Sequence, residues 1–264
     1  MTLVRLCFPE HCLVLFLFFF LIPRERLKNF YKTKHVSLHF YRSFIGAIAM
    51  YAIFVGLRNL ELAEVTSMAF SGPIWVVIFS ILFLGEKIRM KRWIAVGLGF
   101  IGVLIISKPG FDNLNLYYIY PVIFTLGFAG VSIFIRKLTL VGEPVYLIAF
   151  YFSVCSAIFG LFTLPFGGWI MPTGFDLGLL ILIGFFGSIA NLLLTKSYQL
   201  AEVSLTTPLK YLSLVFAIIF GFYLFNEIPT IYTLSGASLI VVSSAIIFVR
   251  EHQLKKPITL PRQQ

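Results

Sequence analysis

Charge is scarce in this chain: Lys, Arg, Asp and Glu together make up 12% of 264 residues, against about 25% in an ordinary soluble domain. With 59% hydrophobic residues and a mean hydropathy of +0.95, there is too little polar surface to coat a water-soluble globule. A soluble enzyme and a disordered chain are both excluded on that ground. Cysteine is scarce as well. Cys7, Cys12 and Cys155 form no CxxC pair, which argues against a zinc site and a disulfide framework. The only aspartates, Asp112 and Asp176, fall in or at the edge of connections between apolar runs. The four histidines (His11, His35, His39 and His252) lie in loops, near helix ends or in the tail. No apolar run holds a central carboxylate, so a proton relay of the Asp/Glu/His kind has no evident members. A phosphate loop, a metal-ligand cluster and a Ser/His/Asp set are all missing, so no cofactor and no metal are expected.

What the chain has in plenty is phenylalanine, thirty residues of it, largely in unbroken apolar runs. Such runs indicate an all-α polytopic membrane protein, whereas a transmembrane β-barrel would alternate over segments of about ten residues. A span needs roughly 17–25 mostly apolar residues. Nine stretches qualify: 4–22, 38–57, 63–84, 93–107, 117–135, 145–164, 176–195, 203–225 and 230–249. The first is the poorest, since Arg5, Pro9, Glu10 and His11 precede its dense core. It also resembles a signal peptide, but Pro23-Arg24-Glu25-Arg26 stands where small residues should mark a cleavage site.

Lys and Arg fix the sides of the membrane. Sixteen lie in one set of connections: Arg24, Arg26, Lys28, Lys32, Lys34, Lys87, Arg89, Lys91, Arg92, Arg136, Lys137, Lys196, Arg250, Lys255, Lys256 and Arg262. The alternating set holds only Arg58 and Lys108. Because basic loops stay inside, the tail 251–264 is expected in the cytoplasm and nine spans would leave the N-terminus outside. The net charge of +10 is thus topogenic, and nucleic-acid binding has no other support.

Two stretches repeat. Leu62-Ala63-Glu64-Val65-Thr66 opens the third span, which ends at Leu84-Gly85-Glu86. Leu200-Ala201-Glu202-Val203-Ser204 opens the eighth, which ends at Phe225-Asn226-Glu227. Glu86 adjoins a basic connection and Glu227 a connection without Lys or Arg, so the two units should cross the membrane in opposite senses. Inverted repeats are an architecture of secondary transporters, with the substrate site near the midplane between the halves. The expected repeats are 1–110, with four helices, and 117–250, with five. Inversion needs an odd number per repeat, so one N-terminal helix is expected to be missing from the first.

These features resemble the drug/metabolite transporter superfamily, in particular EamA-type permeases of ten helices built as two inverted five-helix repeats. The resemblance is carried by Leu62-Ala63-Glu64-Val65 through Gly72-Pro73-Ile74, by Leu84-Gly85-Glu86 and by Gly97-x-Gly99-x-x-Gly102-Val103. In the second half it is carried by Tyr211-Leu212-Ser213-Leu214-Val215-Phe216 and Phe225-Asn226-Glu227. Leu214 departs from the Pro usual in the second repeat, and Asn226 from the Gly of the Leu-Gly-Glu motif. Around Pro208-Leu209-Lys210-Tyr211-Leu212 the chain is most similar to S-adenosylmethionine uptake transporters of intracellular bacteria.

Lys210 is the sharpest candidate for a substrate contact. It lies about eight or nine residues into its span, roughly 12–14 Å from the cytoplasmic end at about 1.5 Å per residue. A charge at that depth costs at least ~2.5–3.5 kcal/mol, so it faces a cavity or a partner, or snorkels to the headgroups. In a cavity its ammonium would bind a substrate carboxylate or other anionic group. Pro208 removes a backbone donor beside it. Arg42, a few residues inside its span, reads first as an interfacial anchor and second as a substrate contact. Trp75, Tyr51, Tyr198 and Tyr211 either pack or stack on a cationic or planar group. Mid-span Asn191 is helix glue or a substrate contact. Glu64 and Glu202 start helices and read as caps, and Glu86 has Lys87 and Arg89 as near partners. Gly97, Gly99, Gly102, Gly127, Gly130, Gly184 and Gly187 suit close helix contact.

The expectation is a multi-pass carrier of the inner membrane that moves small organic metabolites, such as S-adenosylmethionine or amino-acid-like substrates, by alternating access. Its partners are the small-molecule substrate and the lipid bilayer, and the sequence allows a homodimer. The rival readings are a non-transporting remnant of such a permease and a membrane-embedded lipid-modifying enzyme. The latter would need clustered polar groups at one interface, which the chain does not show.

Overall fold

The computed structural model describes residues 33–60, 62–88, 90–107, 116–162, 174–225 and 228–254, and every regular element among them is helical. In chain order these are α1 (Val36–Asn59), α2 (Leu62–Ala69), α3 (Gly72–Leu84), α4 (Met90–Ser107), a 3-10 turn (Leu116–Tyr118) and α5 (Ile119–Leu140). There follow α6 (Val145–Phe162), α7 (Gly174–Leu200), α8 (Val203–Thr206), a second 3-10 turn (Thr207–Tyr211), α9 (Leu212–Phe225) and α10 (Ile231–Leu254). The expected span 4–22, Glu227 and residues 255–264 lie outside the described residues, as do Arg89 and the Glu64 side chain.

Helices are what an apolar chain must form in lipid, where each backbone N–H and C=O needs a partner from its own segment. Four stretches are long and apolar enough to cross a bilayer: Val36–Asn59, Leu116–Leu140, Gly174–Leu200 and Val203–Phe220. Gly72–Leu84, Val145–Phe159 and Ile231–Ile246 are shorter apolar helices. Large apolar side chains such as Phe186, Leu193, Phe216 and Tyr223 stand exposed on their outer faces. In water that exposure would drive aggregation; facing lipid tails it carries no penalty.

Two expected spans are interrupted. The stretch 63–84 breaks at Phe70–Ser71, where Pro73, which lacks an N–H, starts α3 in the first helical turn. The stretch 203–225 begins with one turn of α8 and tightens into the 3-10 turn that holds Pro208, Lys210 and Tyr211. Lys210 therefore sits on irregular backbone rather than within a straight helix.

Small residues bring the helices together. A Cβ on Gly102 of α4 would meet the Gly236 carbonyl oxygen of α10 at 2.7 Å, and one on Gly236 would meet the Gly102 oxygen at 2.5 Å. Gly127 of α5 abuts Ala49 of α1 in the same manner, at 2.7 Å. The α4–α10 and α1–α5 pairs are the most extensively packed in the molecule. Gly97 contrasts with these, because a Cβ there would meet nothing within 4 Å. The core between α3, α5, α6 and α7 is built on Val76, Ala129, Ile135, Leu138, Ile148 and Tyr198.

Two helix ends use the same local device. Gly85 (φ +65°) closes α3 and Gly142 (φ +84°) follows α5, both left-handed conformations that a Cβ disfavours. Each is followed by a glutamate, Glu86 and Glu143, whose N–H bonds back to the helix at the Ser80 and Leu138 carbonyls. The sharp reversal aims each carboxylate away from its own helix and toward another.

Candidate functional site

The buried face of α1 carries Arg42, Ser43, Ala47, Ala49, Ala52 and Gly56, a small and polar stripe on an otherwise apolar helix. Arg42 is 2% exposed on that stripe. Its guanidinium carbon lies 3.7 Å from the centre of the Phe152 ring of α6. Nη2 donates to Asn191 Oδ1 of α7 at 3.3 Å. The other two nitrogens, Nε and Nη1, are buried without a hydrogen-bond partner among the described residues. A buried cationic donor left unmatched is expensive, which sets Arg42 apart from the other buried polar side chains of α1.

Arg42 and Asn191 line a cavity of about 450 Å³ that Lys210 also lines, together with Phe152, Ser153 and Ser188. That size lies within the roughly 300–1,000 Å³ of small-molecule sites. Lys210 places its Nζ 3.3 Å from the centre of the Phe128 ring of α5. It also borders a second cavity of about 360 Å³, lined by Phe70, Pro73, Phe124, Phe128 and Ser213. The lysine therefore stands where a polar, cationic chamber meets an aromatic one. Among the described residues, neither chamber has a carboxylate in its lining. Such surroundings favour a ligand with an anionic group and an apolar or planar body.

Of the residues singled out by sequence, Lys210, Asn191 and Arg42 are brought to one cavity. For Arg42 this corrects the first reading: a side chain 2% exposed is no interfacial anchor. Tyr211 turns elsewhere, wholly buried with Val103 and Ile240, and its ring is what presses on Gly99. Trp75 packs against the core around Val76, and Tyr198 is buried with its hydroxyl 3.2 Å from Ser132 Oγ. Tyr51 is 51% exposed on α1. The chamber residues Phe128, Phe152, Ser153 and Ser188 were not foreseen, because Phe and Ser are too common in this chain to stand out singly.

The acidic residues are also rearranged. Glu202 precedes α8 but its carboxylate makes no cap; it accepts from Arg92 Nη1 of α4 at 2.5 Å. The cap comes from the other half of the chain. Glu86 accepts from the backbone N–H of Val203 (3.1 Å) and Ser204 (3.2 Å) and from the Ser204 hydroxyl. Arg92 also donates to Ser204 Oγ at 3.0 Å. Glu86 thus finds partners 118 residues away in sequence, while Arg89, one of its expected partners, lies outside the described residues.

Comparison with known proteins places this geometry. The chain is 31% identical over 224 residues to the S-adenosylmethionine uptake transporter of Rickettsia bellii, covering 85% of this chain and 76% of that one. It is 27% identical to the riboflavin transporter of Rhizobium johnstonii, over 85% of this chain and 74% of that one. It is 28% identical to the pseudopaline exporter of Pseudomonas aeruginosa, over 76% and 71%. A solved crystal structure shares the fold, with a TM-score of 0.81 over 96% of this chain and 89% of that one at 16% identity. The EamA-like transporter family matches residues 1–108 and 115–249. On that match the chain belongs to the EamA-like transporter family, and is a multi-pass membrane protein that transports small molecules.

Proposed function

We propose that the protein is a secondary carrier for a small metabolite bearing a carboxylate, which it holds between Arg42 and Lys210. The observation that carries this is Arg42, buried with Nε and Nη1 unmatched, on a cavity that also holds a second cation and no carboxylate. A carboxylate in that chamber would give the guanidinium its missing acceptor and draw Lys210 off the Phe128 ring. The freed aromatic faces would then receive the body of the substrate, including a cationic or planar part.

S-Adenosylmethionine meets those requirements, with a carboxylate, a sulfonium and a planar base, and amino-acid-like molecules meet the first. The names of the Rickettsia relatives support the former. Transport would proceed by alternating access of two inverted repeats, 1–110 and 117–250, with nine spans in the inner membrane and the tail in the cytoplasm. The repeated Ala-Glu-Val motifs and the asymmetry of Lys and Arg between loops support that arrangement.

Uptake of labelled S-adenosylmethionine and amino acids by cells making the full-length protein tests the proposal. Lys210→Ala is expected to lower uptake at least tenfold; an unchanged rate would show the site to be misplaced. Asn191→Asp sets a carboxylate against Arg42 and should weaken binding by roughly tenfold or more, since nearby opposite charges neutralise each other in a low dielectric. Asn191→Ala, which only removes a neutral partner, should do less. Tags beside Glu86 and Glu227 should report opposite faces of the membrane; the same face would end the inverted-repeat arrangement.

A further inference from the structure

His39 lies one helical turn before Arg42 on the same buried face of α1, with none of its surface exposed. Its Nε2 is 3.7 Å from Glu143 Oε2, in the turn between α5 and α6. Its ring stacks on Tyr151 of α6 at 4.5 Å. Neither ring nitrogen has a hydrogen-bond partner among the described residues. Glu143 is 7% exposed and accepts a hydrogen bond from the Thr33 hydroxyl. The sequence showed His39 only as a histidine near a helix end; the fold brings it against Glu143 as a buried titratable pair one helical turn from Arg42.

Each neighbour of His39 can be named among the described residues. Its own helix supplies His35 and Arg42. The turn supplies Glu143, and α6 supplies Tyr151, with Cys155 beyond it near Arg42. The basic residues at the same end of α5 are turned away: Arg136 donates to the Tyr198 carbonyl at 2.6 Å and Lys137 lies over Phe83. Glu143 is therefore the acidic partner of both the imidazole and this corner of the bundle.

We infer that His39 and Glu143 form a proton-binding site coupled to the substrate chamber through Arg42, and that the carrier moves a proton together with its carboxylate-bearing substrate. This rests on the reading of the chain as a carrier of such substrates. With His39 neutral, the pair carries the one negative charge of Glu143. A proton taken up on Nε2 turns the pair into imidazolium and carboxylate, with no net charge, and sets a positive charge one helical turn from Arg42, where it adds to the attraction for an anion. Proton and anion each favour the other's binding, and by linkage the coupling is equal in both directions.

Two measurements on the full-length protein test the inference. In the first, substrate plays no part: the nitrogen-15 histidine signal that vanishes in His39→Gln is followed in detergent as pH is lowered. It should pass from neutral tautomer to imidazolium while the protein stays folded; a ring that remains neutral until unfolding overturns the inference. In the second, proteoliposomes with the membrane potential clamped receive labelled S-adenosylmethionine. An imposed pH gradient, acid on the substrate side, should drive accumulation approaching tenfold per pH unit for one proton per substrate. His39→Gln and Glu143→Gln should keep exchange of labelled for unlabelled substrate and lose the gradient-driven accumulation. Wild-type exchange without any gradient effect overturns the coupling and leaves the carrier standing. If S-adenosylmethionine does not exchange at all, that choice of substrate fails and the histidine titration alone decides.

Discussion

Glu86 and Ser204 are tied together across 118 positions of sequence, the glutamate accepting both the backbone N–H and the hydroxyl of the serine. The contact joins the end of α3 to the start of the helical segment that carries Lys210. Gly85 makes it feasible: its left-handed conformation ends α3 abruptly and turns Glu86 out toward α8. Arg92 adds a second tie to Glu202 and Ser204 from the adjacent α4.

Glu86→Ala should remove two backbone bonds to a charged acceptor. Such bonds contribute about 1.5–3 kcal/mol each at most, and with Glu86 half-exposed a total of about 1–3 kcal/mol is expected, or roughly 3–10 °C of unfolding temperature. Glu86→Gln keeps one acceptor and should lose less. Thermal unfolding in detergent measures both. Equal stability of Glu86→Ala and wild type would mean that the tie contributes nothing.

Gly102 and Gly97 lie on the same helix yet should respond in opposite ways to alanine. At Gly102 the new methyl meets a backbone oxygen that cannot move aside, so α4 and α10 must separate, at about 1–3 kcal/mol. At Gly97 it meets nothing, and the change should be neutral or mildly stabilising. The fraction of monodisperse protein surviving a heat step separates the two. Equal losses would contradict the close approach of α4 and α10.

Tyr211 has a fully buried hydroxyl without a hydrogen-bond partner among the described residues. Tyr211→Phe should therefore be neutral or stabilising, by up to about 1 kcal/mol, and should leave transport unchanged. Tyr211→Ala should cost about 3–5 kcal/mol through the cavity it opens beside Val103 and Ile240. Lost transport in the Phe variant would return Tyr211 to the substrate site.

Lys210 was legible because an ammonium deep in an apolar run has few tolerable explanations. Arg42 was half legible. Its depth from the helix end suggested an interface, and only the spacing of Ser43, Ala47, Ala49 and Ala52 along the same face hinted at burial. Glu202 shows where local rules fail: a carboxylate before a helix normally caps it, yet here a glutamate from another helix end displaces it. His39 and Glu143 were illegible as a pair, since neither is unusual in its own segment and the turn at Gly142 is what brings them together.

The amino-acid sequence alone determined that this is a helical membrane protein, where its apolar runs lie and which family it resembles. Those properties follow from composition, charge placement and local motifs, each acting within a few turns of chain. Tertiary structure decided which charges share a chamber, which glutamate caps which helix and which histidine is buried. These depend on packing between helices far apart in sequence, where the approach of Gly102 to Gly236 or of Gly127 to Ala49 sets the positions of everything around them.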